Sequence, residues 1–117
     1  MTVCTPTAVQ QNVQHVLVKV DTTGTVTCLP EVLNVNGANV LIAFRLDATN
    51  WSFADTGAVV VSGGGSQFPI PSWTVNPKLA ALLDCDTSTG SFSYTVTVQH
   101  NSTGQRVRLD PQIRNET

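Results

Sequence analysis

The sequence is poor in charge, and this shortage excludes several classes of partner. Six of its 117 residues are Lys or Arg and eight are Asp or Glu, so charged residues make up 12% of the chain and the formal net charge is −2. A globular domain usually carries about twice that share. Nucleic acids and anionic membranes attract proteins through concentrated basic charge. The composition therefore predicts neither nucleic acid nor membrane as a partner.

Residue types that carry catalysis and bind transition metals are also scarce. His15 and His100 are the only histidines, and no G-x-S-x-G segment marks a nucleophile. Cys4, Cys28 and Cys85 form no C-x-x-C pair, the spacing that zinc sites commonly use. We therefore expect no catalytic residue, no metal ligand and no cofactor. The sequence predicts that the protein is not an enzyme.

The cysteine count also bears on the compartment. Three cysteines at irregular spacing are a poor disulfide framework, so we expect three reduced thiols and a cytoplasmic protein. The chain opens with no basic segment followed by an apolar one, so no leader is expected. The alternative is one disulfide bond plus one free thiol, which would fit a periplasmic or secreted protein whose leader has been removed.

The segment DCDTSTG resembles a calcium loop in one respect only. Asp84, Asp86 and Ser88 stand at alternating positions, but the sixth position lacks Gly and the twelfth lacks Glu, which an EF-hand requires. The segment therefore predicts a turn held by its Asp side chains. A weak site made of oxygen ligands is the alternative.

Alternation of apolar and polar residues is the strongest positive signal. The apolar positions of the two clearest stretches are Val40, Ile42, Phe44 and Leu46, and Phe92, Tyr94, Val96 and Val98. A period of two is typical of strands with one buried face. With the other short stretches of this kind, it predicts a single all-β domain over residues 1–117, an antiparallel β-sandwich of about seven strands.

One stretch, NPKLAALLD, favours a helix. Asn76 can cap a helix, Pro77 suits the first helical position, and three leucines fall on one helical face: Leu79, Leu82 and Leu83. We predict one short helix near residues 76–84.

Turn length fixes the register of two predicted hairpins. A three-residue loop ending at Gly24 suits the first hairpin, because Gly accepts the left-handed conformation required there. A four-residue loop at 101–104 pairs Val98 with Val107 and keeps one face apolar. Pro111 then lies within the last strand, where its missing N–H is tolerated only at an edge or a bulge. We expect this strand to close the core.

The segment DTSTGSFSYTVTV resembles the penultimate strand of immunoglobulin-like domains. An acidic turn and a Gly are followed by alternating aromatic residues and valines. The resemblance implies an immunoglobulin-like sandwich in which Tyr94 is the corner tyrosine, with its hydroxyl bonded back to the preceding turn. The disulfide pair and the buried Trp of antibody domains have no counterpart here.

The end of the chain resembles the DP-EP family of small bacterial proteins, whose members end in a Tyr-containing strand, a hairpin and an Asp-Pro-x-Ile-x-Asn segment. The matching residues are Tyr94, Asp110, Pro111, Ile113 and Asn115. Glu116-Thr117 stands where the family has Glu-Pro, so the second motif is incomplete. The resemblance covers about the last quarter of the chain. It implies a bacterial β-sandwich without an established activity, and a structural role for the matching residues.

Three aromatic residues remain as candidates for a ligand platform. Trp51 and Trp73 lie in or beside irregular segments, and Phe68 lies in the Gly- and Pro-rich loop 62–72. Each ring can close an open end of the core, or the rings can stack on a sugar or a peptide. Our leading hypothesis is a non-enzymatic domain that acts through a protein partner or by self-association, for example as a homodimer. The alternative is a module that binds a carbohydrate or another small ligand.

Overall fold

The described part of the chain is built almost entirely of β-strands. The computed structural model describes residues 13–37, 39–63, 65–86 and 88–116. Its strands are β1 (Val13–Val20), β2 (Val26–Leu29), β3 (Val32–Asn36), β4 (Val40–Asp47), β5 (Trp51–Phe53), β6 (Val59–Val61), β7 (Trp73–Asn76), β8 (Leu79–Asp84), β9 (Gly90–His100), β10 (Arg106–Leu109) and β11 (Gln112–Glu116). A one-turn 3₁₀ helix, Gly65–Gln67, is the only helix in these ranges. No helix there is long and apolar enough to cross a membrane.

The strands form two sheets. The five-stranded sheet has the order β2-β1-β4-β8-β7. In the six-stranded sheet, β9 pairs along one edge with β10 and β11 and along the other with β5 and β6, and β3 lies beyond β11. Most neighbouring strands are antiparallel, but the pairs β1–β4 and β3–β11 are parallel. The all-β prediction is confirmed, whereas the sheets are mixed and hold eleven strands in the described ranges instead of about seven.

One apolar core lies between the inner faces of the two sheets. Val16 and Val18 of β1 alternate with exposed or half-buried neighbours, as do the inward residues of β4. Across the core, the rings of Phe44 and Tyr94 lie 5.5 Å apart between centroids, at a tilt of 59°. Each fully buried side chain of this size contributes about 1.5–3 kcal/mol relative to an exposed position. The period of two in the sequence is therefore the signature of this shared core.

The helix predicted near residues 76–84 is wrong. The segment forms a turn at residues 77–78 followed by β8. The side-chain oxygen of Asn76 accepts the backbone N–H of Lys78 at 2.9 Å instead of capping a helix. The leucines that suggested a helical stripe lie on a strand buried on both faces, since Leu82 points into the core and Leu83 is buried on the outer face. A strand covered on both faces shows no alternation, so periodicity could not identify it.

The two predicted hairpin registers are confirmed. In the first hairpin Val20 pairs with Val26, and Gly24 adopts a φ of 84°. In the second, Val98 pairs with Val107 across the loop at 101–104. Because apolar residues oppose apolar residues throughout both pairs, a shift by one residue would expose half of the core.

Pro111 does not lie at the edge of a sheet. It is buried at a break that divides the last strand into β10 and β11. Its carbonyl accepts the N–H of Tyr94 at 3.0 Å, and the N–H of Gln112 donates to Glu31 on the far side at 3.0 Å. After the break, β11 lies between β9 and β3, so the terminal strand is internal to its sheet. The proline thus separates β10, which pairs with β9, from β11, which pairs with both β9 and β3.

Replacing Ile113 with Ala tests whether β11 closes the core. Ile113 is fully buried opposite Phe92, and removing such a side chain leaves a cavity. We expect the free energy of unfolding, measured by urea denaturation, to fall by about 2–5 kcal/mol. Leu29→Ala is the matched control, because half of that side chain is already exposed, and we expect a loss below about 1 kcal/mol. Equal losses in the two variants would contradict the assignment.

Candidate functional site

The three aromatic residues predicted as a ligand platform do not come together. Trp51 is 8% exposed and packs edge-on against His100, with ring centroids 5.0 Å apart. Trp73 lies on β7 with 39% of its surface exposed. Phe68 is half-buried and packs edge-on against Phe92 at 5.4 Å. Trp51 is therefore part of the buried core, and Trp73 is the most exposed of the three aromatic residues.

A polar cleft lies beside the buried Trp51. Its volume is about 690 Å³, and its walls come from the turns that follow β1, β4 and β9. The Lys78 ammonium donates to the carbonyl of Ala48 at 2.6 Å and to the carbonyl of Trp51, which ties this end to the β7–β8 turn. His100 accepts the N–H of Ser102 at its Nδ1 atom, at 3.2 Å. These contacts fix the loops and leave the indole ring little surface for a ligand.

An apolar cleft opens at the side of the molecule. It has a volume of about 310 Å³ and lies between β6 and the segment that follows the 3₁₀ helix. Phe68, Ile70 and Leu82 are among its lining residues. Apolar clefts of this size are common as sites for small ligands. Of the predicted platform residues, Phe68 alone lines it.

A buried polar cluster joins three distant parts of the chain. Asp84 ends β8, Asp86 follows two residues later, Asn115 belongs to β11, and Gln67 ends the 3₁₀ helix. The Asp84 Oδ1 atom accepts the Asn115 amide at 2.8 Å and the Asp86 backbone N–H at 3.0 Å. The Asn115 amide also donates to Gln67 at 3.3 Å. We name these four residues the acidic pocket.

Several oxygen atoms of the acidic pocket have no hydrogen-bond partner. They are Asp84 Oδ2, both carboxylate oxygens of Asp86 and Asn115 Oδ1. Burial raises the pKa of Asp84 to about 6, against the effect of its two hydrogen bonds. Burial also raises the pKa of Asp86, a shift opposed by the Gly37 backbone amide and reinforced by the Glu116 carboxylate. Burial is the main cause of both shifts, because it disfavours the charged form of each carboxyl group.

The acidic pocket is an oxygen-only set of side chains. Within the described ranges, no three His, Cys, Asp or Glu side chains are grouped so as to hold a metal ion. The pocket instead combines two carboxylates with two side-chain amides. The sequence suggests Asp84, Asp86 and Ser88 for an oxygen-ligand site and assigns Asn115 only to the terminal motif. In the structure Ser88 donates its backbone N–H to the Gln67 side-chain oxygen at 3.3 Å. Gln67 gave no signal, because nothing in its segment indicates which strand it contacts.

The terminal motif is largely structural in the folded chain. Ile113 is in the core, and the Asp110 carboxylate accepts the Thr95 hydroxyl at 2.7 Å. Tyr94 is fully buried, but its hydroxyl has no hydrogen-bond partner, so it does not bond back to a turn as a corner tyrosine would. It lies instead beside the Cys28 thiol, and burial is the main reason that the pKa of both groups is raised, to about 11 for Cys28.

The expectation of three reduced thiols is wrong. Cys28 is free and buried, whereas Cys85 is disulfide-bonded, and its partner lies outside the described residues. Cys85 directly precedes Asp86, and its backbone N–H donates to the Gln67 carbonyl at 2.8 Å. The disulfide bond of Cys85 therefore anchors the turn that carries the acidic pocket. The alternative given by the sequence, one disulfide bond plus one free thiol, agrees with these states of Cys28 and Cys85.

Neither a scan against protein-family models nor a search of curated proteins found a match for the chain.

Thiol reactivity tests the state of the cysteines. The native chain should react with a thiol reagent much more slowly than a free peptide thiol does, because Cys28 is buried and the raised pKa keeps it protonated at pH 8. Denaturation without reductant should then release one thiol per chain, and denaturation with reductant should release three. Three thiols without reductant would contradict the disulfide bond.

Proposed function

We propose that this protein is a non-enzymatic contact domain that self-associates through the outer face of its five-stranded sheet. The observation that carries the proposal is the apolar character of that face. It is the side of β1, β4, β7 and β8 that points away from the core. Its apolar residues are Val13, Leu17, Leu41, Ala43, Trp73, Leu79, Ala81 and Leu83. Ala81 and Leu83 are already buried within the chain, so the other six form the accessible part of the face.

Strand pairing brings these residues into rows across the sheet. Leu41 of β4 pairs with Val13 on one side and Leu83 on the other. The next row runs from His15 through Ala43 and Ala81 to Trp73, so it is apolar except at its β1 end. An outer sheet face that meets water normally carries polar residues at these positions. Rows of apolar residues therefore favour a face that is covered by a partner.

Trp73 is the strongest single contributor to this face. Its exposure of 39% leaves a large apolar surface in water, and the neighbouring Val75 is 55% exposed. A Trp side chain buries about 150–250 Å² when it is covered. Trp is also enriched among the residues that dominate binding energy at protein interfaces. Trp73 lies on β7, at one edge of the five-stranded sheet, and we assign it as the main anchor of the contact.

A second copy of the chain is the partner that this chemistry favours. The outward residues of the same strands carry charge only towards one end, at Lys19, Arg45 and Asp47. An apolar face of this kind needs no complementary charge, so it can pair with itself about a two-fold axis. Two sheets stack at about 10 Å, and a stable dimer must bury about 1,200–2,000 Å² in total.

Sedimentation equilibrium of matched variants tests the dimer. We expect the wild-type chain to dimerise reversibly and Trp73→Arg to weaken the dimer at least about 30-fold, because it buries a charge at a position of the kind that dominates interfaces. Val60→Arg is the control, since Val60 is 51% exposed on β6 of the other sheet. A wild-type chain that stays monomeric at millimolar concentration, or equal effects of both variants, would contradict the proposal.

We further propose an immunoglobulin-like arrangement of the two sheets and membership of the DP-EP family. The C-terminal hairpin and the Asp110-Pro111 break support both. The disulfide bond at Cys85 supports an oxidising compartment, and so favours the periplasmic or secreted alternative over the cytoplasm.

A second candidate function is binding of a small apolar ligand in the cleft beside Phe68. The cleft volume of about 310 Å³ and its apolar lining favour this reading over a carbohydrate platform, which would need Trp51 and Trp73 together.

Fluorescence of the dye 1-anilinonaphthalene-8-sulfonate tests the cleft. If the cleft binds apolar ligands, the dye should become more fluorescent with the wild-type chain, and Ile70→Arg should remove most of that gain by placing a charge in the cleft. Val75→Arg, on exposed β7, is the control and should leave the gain intact. Loss of the gain in Val75→Arg, with the gain kept in Ile70→Arg, would assign the dye to the outer sheet face instead.

A further inference from the structure

The acidic pocket holds buried oxygen atoms that neither a hydrogen bond nor a cation satisfies. Asp84 is fully buried and Asp86 is 4% exposed. Three of their four carboxylate oxygens lack a partner, and so does the Oδ1 atom of Asn115, which is 1% exposed. Buried polar atoms in native proteins are satisfied in the great majority of cases, and each exception calls for an explanation. Four such atoms at one place point to a missing partner.

The groups around the acidic pocket are negatively charged, so a partner for its unsatisfied oxygen atoms must be positively charged. The Asp84 and Asp86 carboxylates repel each other, and the Glu116 carboxylate acts on Asp86 in the same sense. In the part of the chain that the structure describes, no Lys or Arg donates to the unsatisfied oxygens of either Asp. Two carboxylates brought out of water together are costly unless a cation neutralises them.

We propose that the acidic pocket binds one calcium ion, with the carboxylates of Asp84 and Asp86 and the amide oxygen of Asn115 as ligands. The two carboxylates balance the charge of a divalent ion. Asn115 is positioned by β11 against the end of β8, where its amide group already contacts Asp84. Asp84 lies on the face of β8 that also carries the core residue Leu82, opposite to the face proposed for self-association, and the proposal does not depend on that function.

The ligand chemistry selects calcium among divalent ions. The pocket offers oxygen atoms and no imidazole, and Cys85, the cysteine between the two Asp residues, is engaged in a disulfide bond. Zinc and copper favour nitrogen and sulfur ligands. Magnesium demands near-ideal octahedral geometry and retains several waters, which a buried pocket cannot easily accommodate. Calcium accepts six to eight oxygens in irregular geometry at about 2.3–2.6 Å, including amide and backbone carbonyl oxygens.

The test is a calcium titration of chelator-treated, dialysed protein at pH 7. Isothermal titration calorimetry should show one calcium ion per chain, with a dissociation constant near the 10⁻⁴–10⁻³ M range of extracellular calcium modules. At calcium concentrations far above that constant, Tm should rise by about 5 °C or more. Magnesium at the same concentrations should produce a smaller rise, and an equal or larger rise would overturn the assignment to calcium.

Asp86→Asn is the decisive variant, because both carboxylate oxygens of Asp86 lack hydrogen-bond partners. The substitution removes one ligand charge and keeps a side-chain oxygen that can accept from the Gly37 backbone amide, so the calcium-free variant should melt no lower than the wild type. Its response to calcium should be reduced at least about tenfold in affinity. Asp55→Asn, at an exposed carboxylate, is the matched control and should keep the full response.

Two results would overturn the proposal. One is a wild-type chain that shows neither heat of binding nor a rise in Tm at 10 mM calcium. The other is a calcium response that is unchanged in Asp86→Asn, which would locate binding elsewhere on the chain. The wild-type result stands by itself if a variant fails to fold.

Discussion

The hydrogen bonding of β9 along both of its edges is the constraint on which the rest of the structure depends. The strand is eleven residues long, and it pairs with β10 and β11 on one side and with β5 and β6 on the other. Its inward residues Tyr94, Val96 and Val98 are fully buried. Because side chains on a strand alternate between two faces, one register on β9 sets which face of four other strands meets the core.

Regular alternation made the second half of β9 and its hairpin with β10 predictable from the sequence. Both strands have one apolar face, and only a loop with an even number of residues matches those faces. The parallel pairs were not predictable, since β1 and β4 are far apart in sequence and no turn connects them directly. The β8 strand was mistaken for a helix because Ala81 and Leu83 are buried on the face opposite Leu82, which removes the alternation that identifies a strand.

The acidic pocket could be predicted only in part. Asp84 and Asp86 are close in sequence, and their spacing suggested oxygen ligands. The contribution of Asn115 depends on the pairing of β11 beside β9, which brings a residue 31 positions away against Asp84. Gln67 reaches the same place from an irregular loop. Long-range pairing and loop conformation carry this information, and neither leaves a periodic pattern in the sequence. The predicted aromatic platform was wrong for the same reason: the contact that buries Trp51 against His100 is a long-range one, which the sequence does not show.

The parallel pairing of β3 with β11 has a consequence for the order in which the chain can fold as it is synthesised. Among the described strands β3 pairs with β11 alone, and the two strands are separated by most of the described sequence. Domains generally begin to fold from the N-terminal side on the ribosome. The edge of β3 therefore stays unpaired until β11 has emerged, while the β1–β2 hairpin can form early. During that interval Leu33 and Val35, both buried in the finished fold, are open to contact with chaperones or with other nascent chains.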